Sequence, residues 1–214
     1  MNIFTKLKNT IPFLILLSYH IVSAENTNDL IQKIQQNLKK LDKVAIEFSQ
    51  TDKNNNVAEG KLLIQKPSFF RCNYYPPYPL LIVGGKKYIS MYDYSLETIS
   101  YVSARDNIMN LLFSGDFSRS FKIIDVVEMS KYVAFKLIYT EKEQPLEVFF
   151  DNKSFNLVRI VFIELDEPSI VIDFAQPVMV KSFKKQLFEI RDPKIFNAPA
   201  HLDKQLLEKQ YELD

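Results

Sequence analysis

The sequence predicts a mainly β protein with a few helices, built on a single antiparallel sheet that curls toward a barrel, or into a half-barrel if its last edges do not meet. Three observations predict it. The 214 residues include 17 Phe and 11 Tyr but only 4 Gly, and large aromatic and β-branched side chains suit a pleated, half-buried surface. From Val44 to Gln176, about ten or eleven short apolar runs follow one another at hairpin spacing, separated by Gly, Pro, Asn and Asp. That succession is interrupted once, by a stretch of helical periodicity, and no repeat or low-complexity linker divides the chain. The length fits one domain with a sizeable core.

Residues 1–24 read as a secretory signal peptide. Lys6 and Lys8 form a basic start, residues 11–17 an apolar stretch, and Val22, Ser23 and Ala24 a small-residue cleavage site. That stretch is seven residues, whereas a bilayer span needs about 20. Glu25 follows Ala24 where a lipidated protein would carry cysteine, so the cleaved chain is expected to be soluble.

In the mature chain, Asn26 or Asn28 can cap a helix in which Leu30, Ile31, Ile34, Leu38 and Leu41 recur at three- and four-residue steps, an apolar stripe suited to packing on a sheet. From Val44 the period becomes two, with Val44, Ile46 and Phe48 on one face and Ala45, Glu47 and Ser49 on the other. Asn54, Asn55 and Asn56 form a turn, and residues 57–65 return as a strand that Pro67 ends, since proline cannot donate to a ladder. Strands follow at residues 69–75 and 80–83, and Gly84 with Gly85 predicts a tight hairpin turn in which both take positive φ. Residues 86–92 and 97–103 continue the meander.

Residues 107–114 break the pattern. Ile108, Leu111 and Leu112 fall on one helical stripe with Met109 and Phe113 beside it, and Gly115 ends it. A short apolar helix among hairpins must lie over something. Strands resume at residues 121–128, 132–140, 146–151, 157–165 and 170–176. Residues 200–214 read as a polar C-terminal tail, with a helical turn or two around Leu202, Leu206 and Leu213.

Chemistry-bearing constellations are scarce, so the chain reads as no enzyme. His20 leaves with the signal peptide and His201 lies in the tail, which removes the base from any Ser-His-Asp or Cys-His arrangement. The acids are scattered singly or, as in Asp125 with Glu128 and Asp166 with Glu167, read as solvated edges, so neither a metal site nor a cofactor is expected. Four glycines so placed cannot cradle a phosphate. Removing residues 1–24, which hold two lysines and no acid, changes the formal charge from +1 to −1. No basic run interleaves with aromatics, so nucleic acid is excluded as a partner. Cys72 stands alone and reads as a buried, inert thiol.

What the sequence does carry is apolar surface. Residues 60–93 are four strand-like runs packed back to back, and they either fill a core or hold a greasy ligand. An inward series of Leu62, Ile64, Phe70 and Tyr74 suits both roles, and spacing alone favours the filled core.

An ordered set of motifs resembles a known family. Phe48 and Gln50, then Gly60, Leu62 and Pro67, then Phe70, Arg71 and Tyr74, are followed by the Pro79 to Gly85 run, Tyr92 with Asp93, and the Ile108 to Leu112 helix. With a closing run from Phe188 to Lys194 read as a last strand, they make residues 29–199 similar to LolA, the outer-membrane lipoprotein carrier proteins of Gram-negative bacteria. The resemblance implies an unclosed antiparallel half-barrel covered by a helical lid, spanning residues 25–199. It implies a periplasmic carrier that shields the acyl chains of triacylated lipoproteins in a hydrophobic cavity. Such a carrier takes its load from the inner-membrane LolCDE transporter and passes it to an outer-membrane receptor, LolB or an equivalent, and it works as a monomer.

On that resemblance the cavity wall is Phe48, Leu62, Ile64, Phe70 and Tyr74, and the lid is Ile108, Met109, Leu111 and Leu112. Family members commonly carry Arg before the proline that follows the Gly60 strand, where it latches the lid; this chain has Lys66. A lysine is a point charge without a planar fork, so Lys66 reads either as a weaker latch or as a solvated strand end. Arg71, one step out of phase with Phe70, faces outward. Two other functions fit the same residues: a related module that binds lipid or senses the envelope without serving lipoproteins, and an interaction domain with a packed interior.

Overall fold

The computed structural model describes residues 20–21, 24–104 and 121–214. Its strands are β1 (His20–Ile21), β2 (Lys43–Asp52), β3 (Val57–Gln65), β4 (Phe69–Tyr74), β5 (Leu80–Gly84), β6 (Tyr88–Asp93) and β7 (Thr98–Ser103) in the first half. The second half adds β8 (Phe121–Glu128), β9 (Tyr132–Tyr139), β10 (Gln144–Asp151), β11 (Leu157–Glu164), β12 (Glu167–Phe174), β13 (Val178–Phe183) and β14 (Tyr211–Leu213). Helix α1 (Ala24–Lys40) precedes β2, and a 3-10 turn (Lys185–Phe188) and helix α2 (Lys204–Glu208) lie near the C-terminus.

All fourteen strands join one unclosed antiparallel sheet in the order β1-β8-β9-β10-β11-β12-β2-β3-β4-β5-β6-β7, with β13 and β14 as a branch. The branch arises on β2. Its residues 48–52 pair with β12, and Val44 and Ala45 pair with β13, while the opposite edge pairs with β3 along its whole length. The sheet is a half-barrel. Phe121 at the start of β8 and Ile89 of β6, near opposite ends of the strand order, belong to one buried cluster that runs along the inner face and includes the α1 stripe.

Helix α1 lies on that inner face. Leu30, Ile34, Leu38 and Leu41 are buried there with residues from both arms, as the helical stripe predicts. The helix already begins at Ala24, so Asn26 and Asn28 lie within it and do not cap it. The side-chain amide of Asn37 donates to Asn156 Oδ1 at 2.8 Å and ties α1 to the turn between β10 and β11.

The turn at residues 53–56 is held by Asp52, whose carboxylate accepts from the backbone N–H of Asn54 and Asn56 and from the Asn56 amide. Asn55 takes φ 61°, a left-handed conformation that Asn tolerates. The glycine pair behaves otherwise than expected. Gly84 is a β5 residue paired with Phe70 and Ile89, and only Gly85 enters the turn, its N–H donating to Tyr88 O at 3.0 Å. The requirement at Gly84 is space: a Cβ there would lie 1.7 Å from the Phe70 ring. Gly60 likewise leaves room for the ring of Phe48, 2.6 Å from where its Cβ would be. Both glycines leave space that an aromatic ring from a neighbouring strand occupies.

The outer face of β2 to β6 is covered as well. Residues 200–214, expected as a polar tail, dock there: Leu207 is fully buried with Ala45, Leu63, Val180 and Leu187. Phe188 to Lys194 is not a strand; it runs over the outer face, where Ile190 packs with Leu81, Val83 and Tyr92. Pro193 supplies no donor, and the segment holds on by side chains laid across the strands, not by edge pairing. The short helix expected at residues 107–114 lies outside the described residues.

Gly84→Ala is expected to destabilise the protein by about 1–3 kcal/mol, because the new methyl must displace the Phe70 ring. Gly85→Ala, whose added Cβ meets nothing nearer than 3.8 Å, should leave stability nearly unchanged. Urea unfolding midpoints at constant slope measure both.

Candidate functional site

Strand alternation sets the inner wall. Phe48, Leu62, Ile64, Phe70 and Tyr74 all turn inward and share one buried cluster with the α1 stripe, each between 2% and 8% exposed. Phe48 and Tyr74 meet edge to face at 5.1 Å, and Gly60, paired between them, leaves room for that contact. The Tyr74 hydroxyl donates to Gln50 Oε1 at 2.7 Å, and burial pushes its phenol above the ordinary range. The five wall residues are therefore brought together, and in this state they are filled core.

Further along the same face the cover thins. Register aligns Leu62, Cys72, Ile82, Met91 and Ser100 in one row from β3 to β7. Leu62 is buried, but Cys72, Ile82 and Met91 are only half-buried. Phe162 and Ile172 form a half-buried counterpart on the other arm. The inner face thus carries apolar surface beyond the reach of α1. Burial among apolar neighbours raises the Cys72 thiol to about 12, so it is a neutral thiol with little nucleophilic character.

Ile108, Met109, Leu111 and Leu112, expected as the lid, lie outside the described residues. Lys66, expected to latch them, has another partner. Its ammonium donates to the Leu38 carbonyl in the last turn of α1, and its backbone N–H donates to Asp42 O at 2.9 Å. A cation at a helix C-terminus meets both unsatisfied carbonyls and the negative end of the helix dipole. Burial lowers the Lys66 pKa, and the charge of Asp42 opposes that shift. Lys66 is thus a clasp on the helix that covers the wall.

The outer face, toward which the sequence places Arg71, holds a polar seam. Lys61, Arg71 and Asn73 point outward from β3 and β4, yet all three are buried. The Lys61 ammonium lies 2.7 Å from Glu208, 3.0 Å from Glu47 and 2.9 Å from the Tyr211 hydroxyl. Burial disfavours its charge, but these partners outweigh it and raise its pKa. Burial likewise pushes Glu47 up, and hydrogen bonds from Lys61, Tyr75 and Lys204 hold its carboxyl below the ordinary range. The Asn73 amide donates to Leu202 O at 2.9 Å. These contacts dock the C-terminal segment. The sequence signal was there in Lys61, Arg71 and Asn73 at alternate strand positions, but what covers them is more than a hundred residues away.

Among the described residues no three His, Cys, Asp or Glu side chains gather as a metal site would need, and no helix is long and apolar enough to cross a membrane. The fold and its site define a class: an unclosed antiparallel half-barrel with a helix on an apolar inner face. Residues 39–191 match the family described as outer membrane lipoprotein carrier protein LolA, and the chain belongs to that family. It is 36% identical over 193 residues to an uncharacterized protein of Rickettsia prowazekii (strain Madrid E), covering 89% of this chain and 90% of that one. Among solved structures it is similar to an uncharacterized conserved protein of Thermus thermophilus (TM-score 0.48, 12% identity, 78% of this chain and 94% of that one). A LolA superfamily protein of Nitrosomonas europaea also matches (TM-score 0.43, 9% identity, 76% of this chain and 96% of that one).

Lys66→Met should cost about 1 kcal/mol by leaving the Leu38 carbonyl without its donor, and should speed amide exchange in the last turn of α1, while Lys66→Arg should retain protection. For Glu47 the sign is that of a depressed carboxylate: its contribution is present above its unfolded pKa, near 4.3, and is lost as pH falls through the lower folded value. Thermal melts between pH 5 and pH 3 should therefore fall less steeply for Glu47→Gln than for the parent chain.

Proposed function

We propose that this chain is a periplasmic carrier that holds the acyl chains of lipoproteins against the inner face of the half-barrel and moves them from the inner membrane to an outer-membrane receptor. The observation that carries the reading is the row Cys72, Ile82 and Met91, apolar surface on the inner face left half-buried beside a wall that α1 covers. Its cargo is a triacylated lipoprotein, its donor the LolCDE transporter, and its acceptor LolB or an equivalent. It acts as an exported monomer and catalyses nothing.

The energetics explain why a helix must share the wall. Burying an acyl chain gains about 0.8 kcal/mol per CH₂, so a chain of about 14 methylenes gains roughly 11 kcal/mol before costs. A carrier that kept all of that would not release its load. Phe48, Leu62, Ile64, Phe70 and Tyr74 are already buried by protein, so cargo that reaches them displaces protein contacts of the same kind and gains only the difference. The half-buried row offers a first foothold that displaces little.

Native mass spectrometry of the protein released from the periplasm tests the reading. A bound triacylated lipoprotein is the expected result, and Ile82→Glu, a charge placed on the half-buried row, should abolish it without unfolding the sheet. Phospholipid alone would make the chain a lipid-binding or envelope-sensing module. Lipoproteins should accumulate at the inner membrane when the protein is depleted, and normal sorting would overturn the carrier reading.

A further inference from the structure

We infer that the outer face carries a second ligand site, a pocket built around the guanidinium of Arg71 that takes a carboxylate. The pocket has a volume of about 370 Å³ and lies between β4 and the C-terminal segment, lined by Arg71, Arg191, Gln186, Asn197, Gln210 and Glu189 among others. It is on the face opposite the wall and stands independently of the carrier reading.

Arg71 is 4% exposed, and among the described residues it makes no ion pair. Its Nε and Nη2 both donate to Asn73 Oδ1, at 3.3 and 2.9 Å, and its Nη1 donates to Leu187 O at 3.2 Å. A guanidinium has five N–H donors. One on each terminal nitrogen is left with no protein acceptor among the described residues. Buried charges are ordinarily paired, because neutral acceptors recover only part of the cost of removing a charge from water. Burial pulls the Arg71 pKa down to about 10. Lys61, two residues away across the β3–β4 pair, shows the alternative: equally buried, it meets two carboxylates.

The chemistry of the lining selects the ligand. Two free N–H groups on adjacent terminal nitrogens match the two oxygens of a planar carboxylate. Two arginines against one glutamate leave a net charge of +1, which a monoanion balances and a phosphate dianion would overshoot. Glu189 does not fill the role itself: it sits 3.9 Å from Arg191 at the surface, with both side chains more than half exposed. Gln186, Asn197 and Gln210 are neutral, which leaves Arg71 and Arg191 as the cationic contacts. The carboxylate is either that of a free small acid or the C-terminus of a peptide chain.

The test is NMR of the Arg71 side-chain N–H signals in the full chain during titration at constant ionic strength. The probes are acetate, acetyl-trialanine with a free carboxyl group, the same peptide amidated, inorganic phosphate and chloride. Saturable shifts with acetate and with the free-acid peptide, absent with chloride and the amidated peptide, support the site. The free-acid peptide binding at least tenfold tighter than acetate assigns it to chain termini, and equal binding to small acids. Arg191→Gln, at an exposed position, should weaken acetate binding at least threefold while leaving the Arg71–Asn73 signals in place. Shifts that do not saturate, shifts reproduced by chloride, phosphate binding tighter than acetate, or unchanged affinity in Arg191→Gln would each overturn the assignment.

Discussion

Strand β2 has to satisfy three partners at once, and the rest of the fold follows from that. Its edge toward β3 is paired throughout, but its other edge is shared between β12 and β13. The chain leaves β2 at residues 175–177, where Ala175 N–H still reaches Glu47 O at 2.9 Å. That splice lets the final strands cross to the outer face while the arm from β8 to β12 stays wrapped around α1. One strand therefore fixes both what lies inside the half-barrel and what covers its back.

Burial on both faces changes what alternation means. In β3 and β4 neither side of the pleat is solvent: Leu62 and Ile64 face α1, and Lys61 and Leu63 face the C-terminal segment. Phe70 and Arg71, or Tyr74 and Tyr75, are adjacent residues committed to opposite layers. A side chain added on one face has nowhere to go, which is why Gly60 and Gly84 stand where rings from the next strand already occupy the space.

Most of the sheet was legible because its signal is local. Residues 57–65 and 121–128 form the strands expected of them, to the residue, and the α1 stripe Leu30, Ile34, Leu38 and Leu41 is buried as its spacing requires. What was illegible depended on distant contacts. Lys61 and Arg71 look like any solvated strand face until Glu208 and the Leu187 carbonyl arrive from the far end of the chain. The tail looked polar because only Leu202, Leu207 and Tyr211 among its residues carry the packing, too few to show a period. Gly84 was misread because Gly-Gly signals a turn by conformational freedom, whereas here its lack of a side chain is what is used. Lys66 was read as a latch on the helix at residues 108–112 or as a solvated strand end, and its contact with the Leu38 carbonyl was not legible, since nothing local ties residue 66 to residue 38.

That last contact bears on how the two layers share the work. The wall residues are buried with α1, and α1 is held at its end by a single half-buried ammonium, by backbone contacts at residues 41 and 42, and by Asn37 on the opposite arm. A lysine there is a weaker clasp than a fork of guanidinium donors, because it fixes fewer carbonyls in fixed geometry. The outer face is fastened differently, by Lys61 among two carboxylates and a phenol. The polar contacts are thus uneven, charged on the back and sparse on the helix, whose hold on the wall is the burial of Leu30, Ile34, Leu38 and Leu41.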